Sequence, residues 1–475
     1  MNYQSIRPKI HNLVQEYITN KENLDIVSHF SDWPIHIIFP DIFRENIEKY
    51  KNFFNEYNLD YKIFYAHKTN KSSAFLQIAE EENIWMDVAS KNELTHALAC
   101  GFTWERISCS GPKSNDFLFL AMKHGCLISI DWIHELQQIV EIYNRWNFPR
   151  VNLLIRINDL TSLDRVIASK NTKFWLSQTL LPKVYDLLNK YDFLILQGIH
   201  FHFDEHQHEI KAWAIENAIW ILQESYQYWF TPSIIDIWWG MRWEELEDKK
   251  DWKNYIDFLS DSKKQWLDTH TWWNRGYWIH VSDRWWIEGR ELVEKRYREI
   301  DPIKFLWNVL NFQTFQWWLL ESIQDSMFQI MIEPGYSLTL WCGFTLLKIT
   351  GYKNLSNWDE AIIVNANILN LSSKMWEYFT DPILISKNQN NVTDWNDNFY
   401  GFIFWNLCRD DDILIQKKVY FQSKPSIWDY VLFMNTSSYI SDFEDASPIS
   451  QDKWMKIVVK KQKNNFKIYP DKNVI

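Results

Sequence analysis

The chain has 475 residues, 46% hydrophobic and 23% charged, so it is long enough to bury one large core or two ordinary ones. Its net charge of −11 excludes the basic surface that binds phosphate backbones, so we expect no nucleic-acid partner. Five cysteines without a C-x-x-C pair, no signal-peptide pattern and no membrane-spanning apolar stretch predict a cytoplasmic protein that neither depends on disulfides nor enters a membrane.

The glycine content is abnormally low. Glycine usually makes up about 7% of a protein, which would be roughly 33 residues here, but the sequence contains 11 Gly and 29 Trp. So few residues that tolerate positive φ can hardly turn a chain of this length, whereas the pooled number of Gly and Trp would be ordinary. Two interpretations stay open: the protein is truly rich in tryptophan, or many Trp stand where glycine belongs.

Short apolar runs of strand length alternate with helical periodicity through most of the chain. Ser90 and Glu93 form a capping-box pattern, which predicts that a helix follows the second run. Eight runs are the number that closes a parallel barrel, and an open doubly wound sheet is the structural alternative. In chain order the runs are 61–66, 84–88, 106–109, 126–130, 151–155, 194–201, 234–237 and 328–332.

From about residue 346 the pattern changes to strand-like runs without long helices between them. We predict a barrel over residues 37–345 and a mostly β domain formed by 1–36 and 346–475. The Lys-rich stretch 453–472 is interpreted as a solvated edge strand and not as a basic binding patch. The predicted strands of this domain include 361–364, 413–415, 430–433 and 455–459.

Polar residues with useful chemistry stand at the ends of five of the predicted barrel strands or just after them: Lys68, Asp87, His200, His202, Asp236 and Glu333. A barrel of this kind carries its active site at the C-terminal ends of its strands, so these side chains would share one rim. Each alone would be explained equally well as a solvated strand end or a satisfied buried group. Together they suit either Schiff-base chemistry on the lysine or metal binding by His200 and His202.

Several segments resemble, in the same order, the motifs of the fold-type III pyridoxal-phosphate enzymes, the group of diaminopimelate, ornithine and arginine decarboxylases. The similarity extends over about residues 34–443, and so many motifs in order are a specific signal. The segments are Tyr65-Ala66-His67-Lys68-Thr69-Asn70 (Y-A-x-K-x-N), Asp87-Val88-Ala89-Ser90 with Glu93 (D-V-x-S-x-x-E), Ser110-Gly111-Pro112-Lys113, His200-Phe201-His202, Asp236-Ile237-Trp238-Trp239-Gly240 (D-I-G-G-G), Glu333-Pro334-Gly335 (E-P-G), Asn406-Leu407-Cys408 with Asp412, and Ser437-Ser438-Tyr439.

The resemblance implies an alanine-racemase-like (β/α)8 barrel followed by a β-sandwich or Greek-key domain, with pyridoxal 5′-phosphate as cofactor. Lys68 would hold the cofactor as a Schiff base, Glu333 would pair with its pyridine nitrogen, and His202 would stack on its ring. Asp87 and Glu93 would lie near the lysine, although these two residues and His202 could equally serve structural packing. Cys408 would act in the site of a partner subunit and protonate the substrate after loss of CO₂, which implies a homodimer with shared active sites.

The remaining cofactor and substrate contacts are also implied by the resemblance. The phosphate would be held by Trp238, Trp239, Gly240, Gly335 and Tyr439. The family's arginine after E-P-G is replaced by Tyr336, and the residues after the stacking histidine are Phe203, Asp204 and Glu205, so phosphate anchoring must differ. Arg409 and Asp412 would contact substrate, and an arginine beside the cysteine predicts a substrate with a distal carboxylate or another acceptor.

The excess of tryptophan falls on family glycine positions. Two indoles at 238 and 239 would keep the backbone away from a phosphate. Our hypothesis is that the gene uses a codon read as glycine in its host, such as a reassigned UGA. Tryptophan also stands at the family's glycine positions 85, 104, 175, 405 and 428.

The leading prediction is therefore an amino-acid decarboxylase, a carboxy-lyase dependent on pyridoxal phosphate and similar to diaminopimelate decarboxylase. The alternatives are a racemase that uses the same lysine, or an inactive homologue that regulates by binding. A metal hydrolase built on His200, His202, Asp204, His206 and His208 would leave Lys68 and Glu333 unexplained, so we expect no bound metal.

Overall fold

The computed structural model describes residues 3–471 with the exception of 147, 163–164, 169–175, 203–206, 239–243, 266–269, 295–300, 315–317, 369, 372–377, 388–397, 414 and 442–453. The chain forms two compact units. The barrel unit contains residues 43–241 and 300–338, and the sheet unit contains 1–42, 242–299 and 339–471. Among the described helices, none has the length and apolar character needed to cross a bilayer.

The barrel unit is built on eight parallel strands, each paired with the next in chain order and the eighth paired with the first. Each predicted run overlaps one of these strands, which confirms the barrel and excludes the open sheet. The barrel strands, numbered first to eighth below, are Tyr61–Ala66, Trp85–Val88, Ile107–Cys109, Leu127–Ile130, Val151–Ile157, Leu194–His202, Ile234–Trp238 and Gln329–Ile332.

Helices connect the barrel strands. Ser90 caps the helix after the second strand by accepting the Glu93 N–H at 3.2 Å, as predicted, but the Glu93 carboxylate accepts from Ala89 and not from Ser90. The pair Leu160–Ser162 and Arg165–Ala168 forms a small hairpin after the fifth strand. The helices of this unit, two of which extend across its boundary, are Pro40–Glu56, Ser73–Glu81, Lys91–Ala99, Asn115–His124, Ile133–Trp146, Leu181–Leu188, His208–Ser225, Pro302–Leu310, Leu319–Asp325 and Tyr336–Thr339.

The sheet unit contains a nine-stranded, mostly antiparallel sheet, which confirms the predicted β domain. Its apolar core includes Leu347, Ile362 and Phe433. The predicted strand at 413–415 is wrong for its two described residues: Ile413 and Ile415 are buried but lie outside the described strands, and position 414 is not among the described residues. The strands are Ile35–Ile38, Gly343–Asn354, Glu360–Val364, Ile383–Ile385, Phe399–Phe404, Val419–Phe421, Tyr430–Met434, Met455–Gln462 and Asn465–Pro470.

The sheet unit also carries the helices Asn12–Thr19, Lys21–Ser28, Lys249–Lys264 and Arg290–Glu294 and the short strand pair His280–Val281 and Ile287–Glu288. The Lys-rich stretch forms the hairpin Met455–Gln462 and Asn465–Pro470, whose second strand is at an edge of the sheet, as predicted. Residues 242–299 group with this unit, and the proposed domain boundaries at 37 and 345 stay a prediction.

Tryptophan occupies left-handed backbone positions where glycine is the usual residue. Trp229 ends the helix His208–Ser225 and its short 3₁₀ extension with φ 68°, while Phe230 N–H donates to Ser225 O. Gly125 ends the helix Asn115–His124 with φ 69° and the same bonding pattern, since Cys126 N–H donates to Ala121 O. Among the described residues, the tryptophans with positive φ are Trp229, Trp273, Trp278, Trp285, Trp341, Trp358 and Trp428.

Candidate active site

The barrel places Lys68 at the C-terminal end of its first strand. A single 3₁₀ turn, His67–Thr69, follows that strand directly and carries the lysine. The first strand pairs with the second, where Ala66 is in register with Asp87, and with the eighth, which ends just before Glu333. Because parallel strands end at the same edge, the lysine lies between two carboxyl groups from neighbouring strands.

The environment of Lys68 disfavours a charged amine. Burial lowers the pKa of the amine, and the positive charge of Arg156 lowers it further. The carboxylates of Asp87, Glu333 and Glu93 act in the opposite direction, yet the net pKa stays below the usual range for lysine. A lysine with a lowered pKa holds an unprotonated amine at a lower pH than an exposed one, which is the form that attacks a carbonyl carbon.

Three buried carboxyl groups of this rim, Asp87, Asp236 and Glu333, act on one another. Burial, together with Asp236 and Asp87, raises the pKa of Glu333 well above its ordinary value. Burial also raises the pKa of Asp236 to about 7, and Asp87 contributes in the same direction. Glu333 Oε1 is buried without a hydrogen-bond donor among the described residues. The rim therefore contains acceptor capacity that a cationic N–H group would satisfy.

His200 is fully buried on the sixth strand. Its Nδ1 lies 2.9 Å from Ser129 Oγ and 3.5 Å from Asp236 Oδ2. Burial, and then the charge of Arg156, lower the pKa of this imidazole well below the usual range, so it is neutral. His202 ends the same strand and is half-buried.

The described residues that could share a metal ion are not the predicted set. His200, Asp236 and Glu333 have possible ligand atoms within 4.8 Å of one another. Asp204 and His206 of the predicted hydrolase site lie outside the described residues, and His208 is near Glu209 at 3.4 Å.

A buried ionic layer that was not predicted from the sequence lies on the fifth strand and in the segments that follow the third and fourth strands. Arg156 Nη1 lies 3.3 Å from Asp131 Oδ1, and Lys113 Nζ lies 3.0 Å from Glu135 Oε1 in a pair without solvent exposure. Asp131 and Arg156 each stand at the end of a predicted apolar run. The criterion that selected Lys68 and Asp87, a polar residue at the end of a strand, would have found both.

The residues at the base of this site fit pyridoxal phosphate. Glu333 provides a buried oxygen without a donor, as a protonated ring nitrogen requires, and Lys68 provides the amine. Of the predicted phosphate contacts, Trp239 and Gly240 lie outside the described residues, and only the backbone of Trp238 is described, at the end of the seventh strand. Gly335 is buried just after Glu333.

The other predicted site residues belong to the sheet unit. Cys408 is an exposed free thiol, and exposed Arg409 pairs with Asp411. Asp412 is buried, and its carboxylate accepts the N–H groups of Leu407 at 2.6 Å and Ile368 at 2.7 Å. These bonds order the turn that carries the cysteine, so a substrate contact by Asp412 would have to compete with them. Tyr439 is half-buried in the left-handed region, with φ 55°.

The fold and the lysine-centred rim define the class of the protein: a closed parallel barrel with an additional β unit, as in alanine-racemase-like enzymes. Comparison with known proteins supports this class. The arginine decarboxylase of Paramecium bursaria Chlorella virus superposes with a TM-score of 0.67 at 15% identity, covering 93% of this chain and 100% of that one. The diaminopimelate decarboxylase of Helicobacter pylori gives 0.69 at 17% identity, with 95% and 97% covered.

Proteins with similar sequences include a diaminopimelate decarboxylase. The uncharacterized protein y4yA of Sinorhizobium fredii is 22% identical over 424 residues, which is 86% of this chain and 84% of that protein. The diaminopimelate decarboxylase of Bacillus methanolicus is 25% identical over 277 residues, covering 55% of this chain and 61% of that enzyme. The pyridoxal-binding domain of the pyridoxal-dependent decarboxylases matches residues 43–271. This match covers the barrel strands from the first to the seventh and confirms the resemblance seen in the motifs.

Proposed function

We propose that this protein is a pyridoxal-phosphate-dependent amino-acid decarboxylase located in the cytoplasm. The observation that carries the proposal is the buried rim in which Lys68, with a lowered pKa, lies among Asp87, Glu333 and Glu93. A merely structural lysine would be paired with one carboxylate and would stay charged. Here the carboxyl groups outnumber the lysine, and one of them has an oxygen without a donor among the described residues.

Each residue of the rim has a task that follows from its surroundings. Bound pyridoxal phosphate supplies an electrophilic aldehyde and a ring that withdraws electrons from the substrate's α-carbon. Lys68 would hold the cofactor through its amine. Glu333 would face the ring nitrogen, and a carboxylate there would favour the protonated form of that nitrogen. Burial raises the pKa of Asp87, and the charge of the neighbouring Lys68 acts in the opposite direction, so Asp87 and the lysine influence each other's ionisation.

The sixth strand carries two imidazoles, and we propose that only His202 contacts the ring. His202, at the C-terminal end of that strand, would cover one face of the ring and orient it. His200 is neutral and hydrogen-bonded to Ser129, so it does not compete with the ring nitrogen for Glu333 as a cation would.

The sheet unit would supply the proton that replaces CO₂. Cys408 is an exposed thiol on a turn that Asp412 orders through two backbone N–H groups. We propose that it enters the site of a second copy of the chain and donates a proton to the α-carbon. The two active sites of a homodimer would then each contain residues from both subunits.

Arg409 supports a substrate with a distal carboxylate. The guanidinium is exposed beside Cys408, and Asp411 is its partner on the same turn. A substrate carboxylate could replace Asp411 and gain a bidentate contact, whereas a distal ammonium alone would be repelled. Diaminopimelate has a distal carboxylate and is the substrate named for several relatives.

The cofactor and the role of Lys68 are tested by absorbance spectroscopy with pyridoxal phosphate. We expect a lysine-dependent band near the visible edge that is lost in Lys68→Ala and kept in Lys71→Ala, a control for an exposed lysine three residues away. A folded wild-type protein without the band would refute the proposal.

The reaction is tested by CO₂ release from meso-diaminopimelate, lysine, ornithine and arginine. We expect release from the substrate with a distal carboxylate. Loss of optical activity without CO₂ would identify a racemase instead. Mixed dimers of Lys68→Ala and Cys408→Ala subunits should recover about a quarter of wild-type activity if sites are shared, because half of the dimers then contain one intact site.

A further inference from the structure

A buried pair of histidines lies behind Lys68. His67 precedes the lysine in the same 3₁₀ turn and has no solvent exposure. Its Nε2 lies 2.9 Å from Nδ1 of His96, which is on the helix Lys91–Ala99 and is also buried. The two rings meet edge to face, with centroids 5.0 Å apart. Two imidazole nitrogens at this distance share one hydrogen, so one ring donates the hydrogen bond and the other accepts it.

The pair connects a carboxylate to a hydroxyl. His67 Nδ1 lies 3.6 Å from Glu93 Oε1, and His96 Nε2 lies 3.1 Å from Ser73 Oγ. One arrangement orders three of the four nitrogens in a chain of hydrogen bonds: Ser73 donates to His96, and His96 donates to His67. The Nδ1 of His67 then faces Glu93 across 3.6 Å, which is longer than a hydrogen bond. Glu93 also accepts the Ala89 N–H at 2.7 Å, so donors approach both of its oxygens.

Glu93 is the link to Lys68. Burial alone would raise the pKa of Glu93, but His67 and the Ala89 N–H more than offset this and the net pKa is lowered. The ionised carboxylate in turn acts on the Lys68 ammonium. The charged groups that face this assembly, among the described residues, are Lys68 and Asp87.

We propose that His67 and His96 are positioning residues that hold the Glu93 carboxylate ionised beside Lys68 and thereby set the basicity of the catalytic amine. This rests on the proposed function, because Lys68 is the amine that would bind the cofactor. His67 occupies the variable position of the Y-A-x-K-x-N segment, so the pair of His67 and His96 is not part of the motif itself.

The test measures Lys68 itself in the apoprotein. Trace acetylation with acetic anhydride over a pH series, read by peptide mass spectrometry, gives the titration midpoint of each reactive lysine. Without the His67 N–H, Glu93 takes up a proton and no longer stabilises the ammonium, so in His67→Leu the midpoint of Lys68 should fall by about half a pH unit or more. Exposed Lys91, in the same digest, should not move.

Two further variants keep the outcome decisive. His67→Asn retains a donor near Nδ1 and should keep the wild-type midpoint, whereas His96→Leu should lower it to a smaller extent. Equal midpoints in wild type, His67→Leu and His96→Leu would overturn the proposal, as would an Asn variant that behaves like Leu. If the midpoint shifts while wild type fails to take up pyridoxal phosphate, the positioning role stands and the proposed function fails.

An independent observation concerns the identity of the tryptophans. Trp229 is 92% exposed and Trp358 is 85% exposed, and both have φ 68°. Trp358 closes a three-residue hairpin loop, since its N–H donates to Leu355 O and Leu355 N–H donates to Asp359 O. This loop type requires a left-handed residue at its last position, where glycine is preferred. An indole there gains no burial and strains the backbone.

We infer that the tryptophans at these left-handed positions are glycines in the protein as its host makes it, through a reassigned codon. Tandem mass spectrometry of the host's own protein should show glycine at 229 and 358. Tryptophan in either peptide, or a UGG codon at both positions, would overturn the inference. Trp252, buried in the helix Lys249–Lys264 without positive φ, is the comparison residue within the same protein.

Discussion

Replacing Trp229 with glycine should stabilise the protein. A left-handed conformation destabilises the folded state by about 1–2 kcal/mol for a residue with a side chain. Glycine avoids that strain but lowers stability by about 0.4–1 kcal/mol, because it gives the unfolded chain more conformational freedom. The indole is 92% exposed, so its removal loses almost no burial. The net expectation for Trp229→Gly is a gain of about 0.5–1 kcal/mol, or roughly 1–4 °C in Tm for a unit of this size.

The assay is urea and thermal unfolding followed by far-ultraviolet circular dichroism, which does not depend on indole fluorescence. The matched control is Trp307→Gly, because Trp307 is 44% exposed within the helix Pro302–Leu310 of the same unit. Glycine in a helix interior costs about 1 kcal/mol, so the two variants should shift Tm in opposite directions. A Trp229→Gly protein less stable than wild type would refute the backbone argument.

Three further predictions concern the buried charges of the barrel. The pKa of Asp236 is raised to about 7 from 3.8, so between these values the folded state binds one more proton than the unfolded state. The free energy of unfolding therefore falls as the pH rises through that window. Asp236→Asn should flatten this part of a curve of Tm against pH, and an unchanged slope would contradict the raised pKa. Glu333→Gln should keep the fold but lower kcat by about 100-fold or more, because an amide does not hold the ring nitrogen protonated; wild-type kcat with bound cofactor would exclude Glu333 as its partner. Lys113→Met leaves Glu135 buried without its cation and should lower the free energy of unfolding by urea by about 3–5 kcal/mol. Adding Glu135→Leu should restore most of that loss. Equal stability of the single and double variants would show that the pair is not coupled.

The barrel could be predicted from sequence because its strands are short apolar runs with polar ends. The run 61–66 coincides with the first strand, Tyr61–Ala66, and the run 151–155 lies within the fifth. Such strands are buried by the helices around them, and their hydrophobicity is local information. The same rule failed at 413–415, since Ile413 and Ile415 are buried in irregular structure. An apolar run indicates burial there, and not the backbone conformation.

The site could be predicted only in part. Lys68, Asp87 and Glu333 were found because they follow strands, and the structure brings them into electrostatic contact. The histidine pair was not found, because His67 and His96 are separated by 29 residues and only the packing of a helix on a turn makes them neighbours. The tasks of Cys408 and Arg409 depend on a second subunit and stay a prediction.

The closure of the barrel has a consequence for biosynthesis. Lys68 comes from the first strand and Glu333 from just after the eighth, and these strands pair only when the last one docks. A nascent chain that ends before Glu333 therefore has the lysine but lacks the carboxyl group that we propose as partner of the ring nitrogen. Under the proposed function, cofactor binding in its complete geometry would report that the barrel has closed.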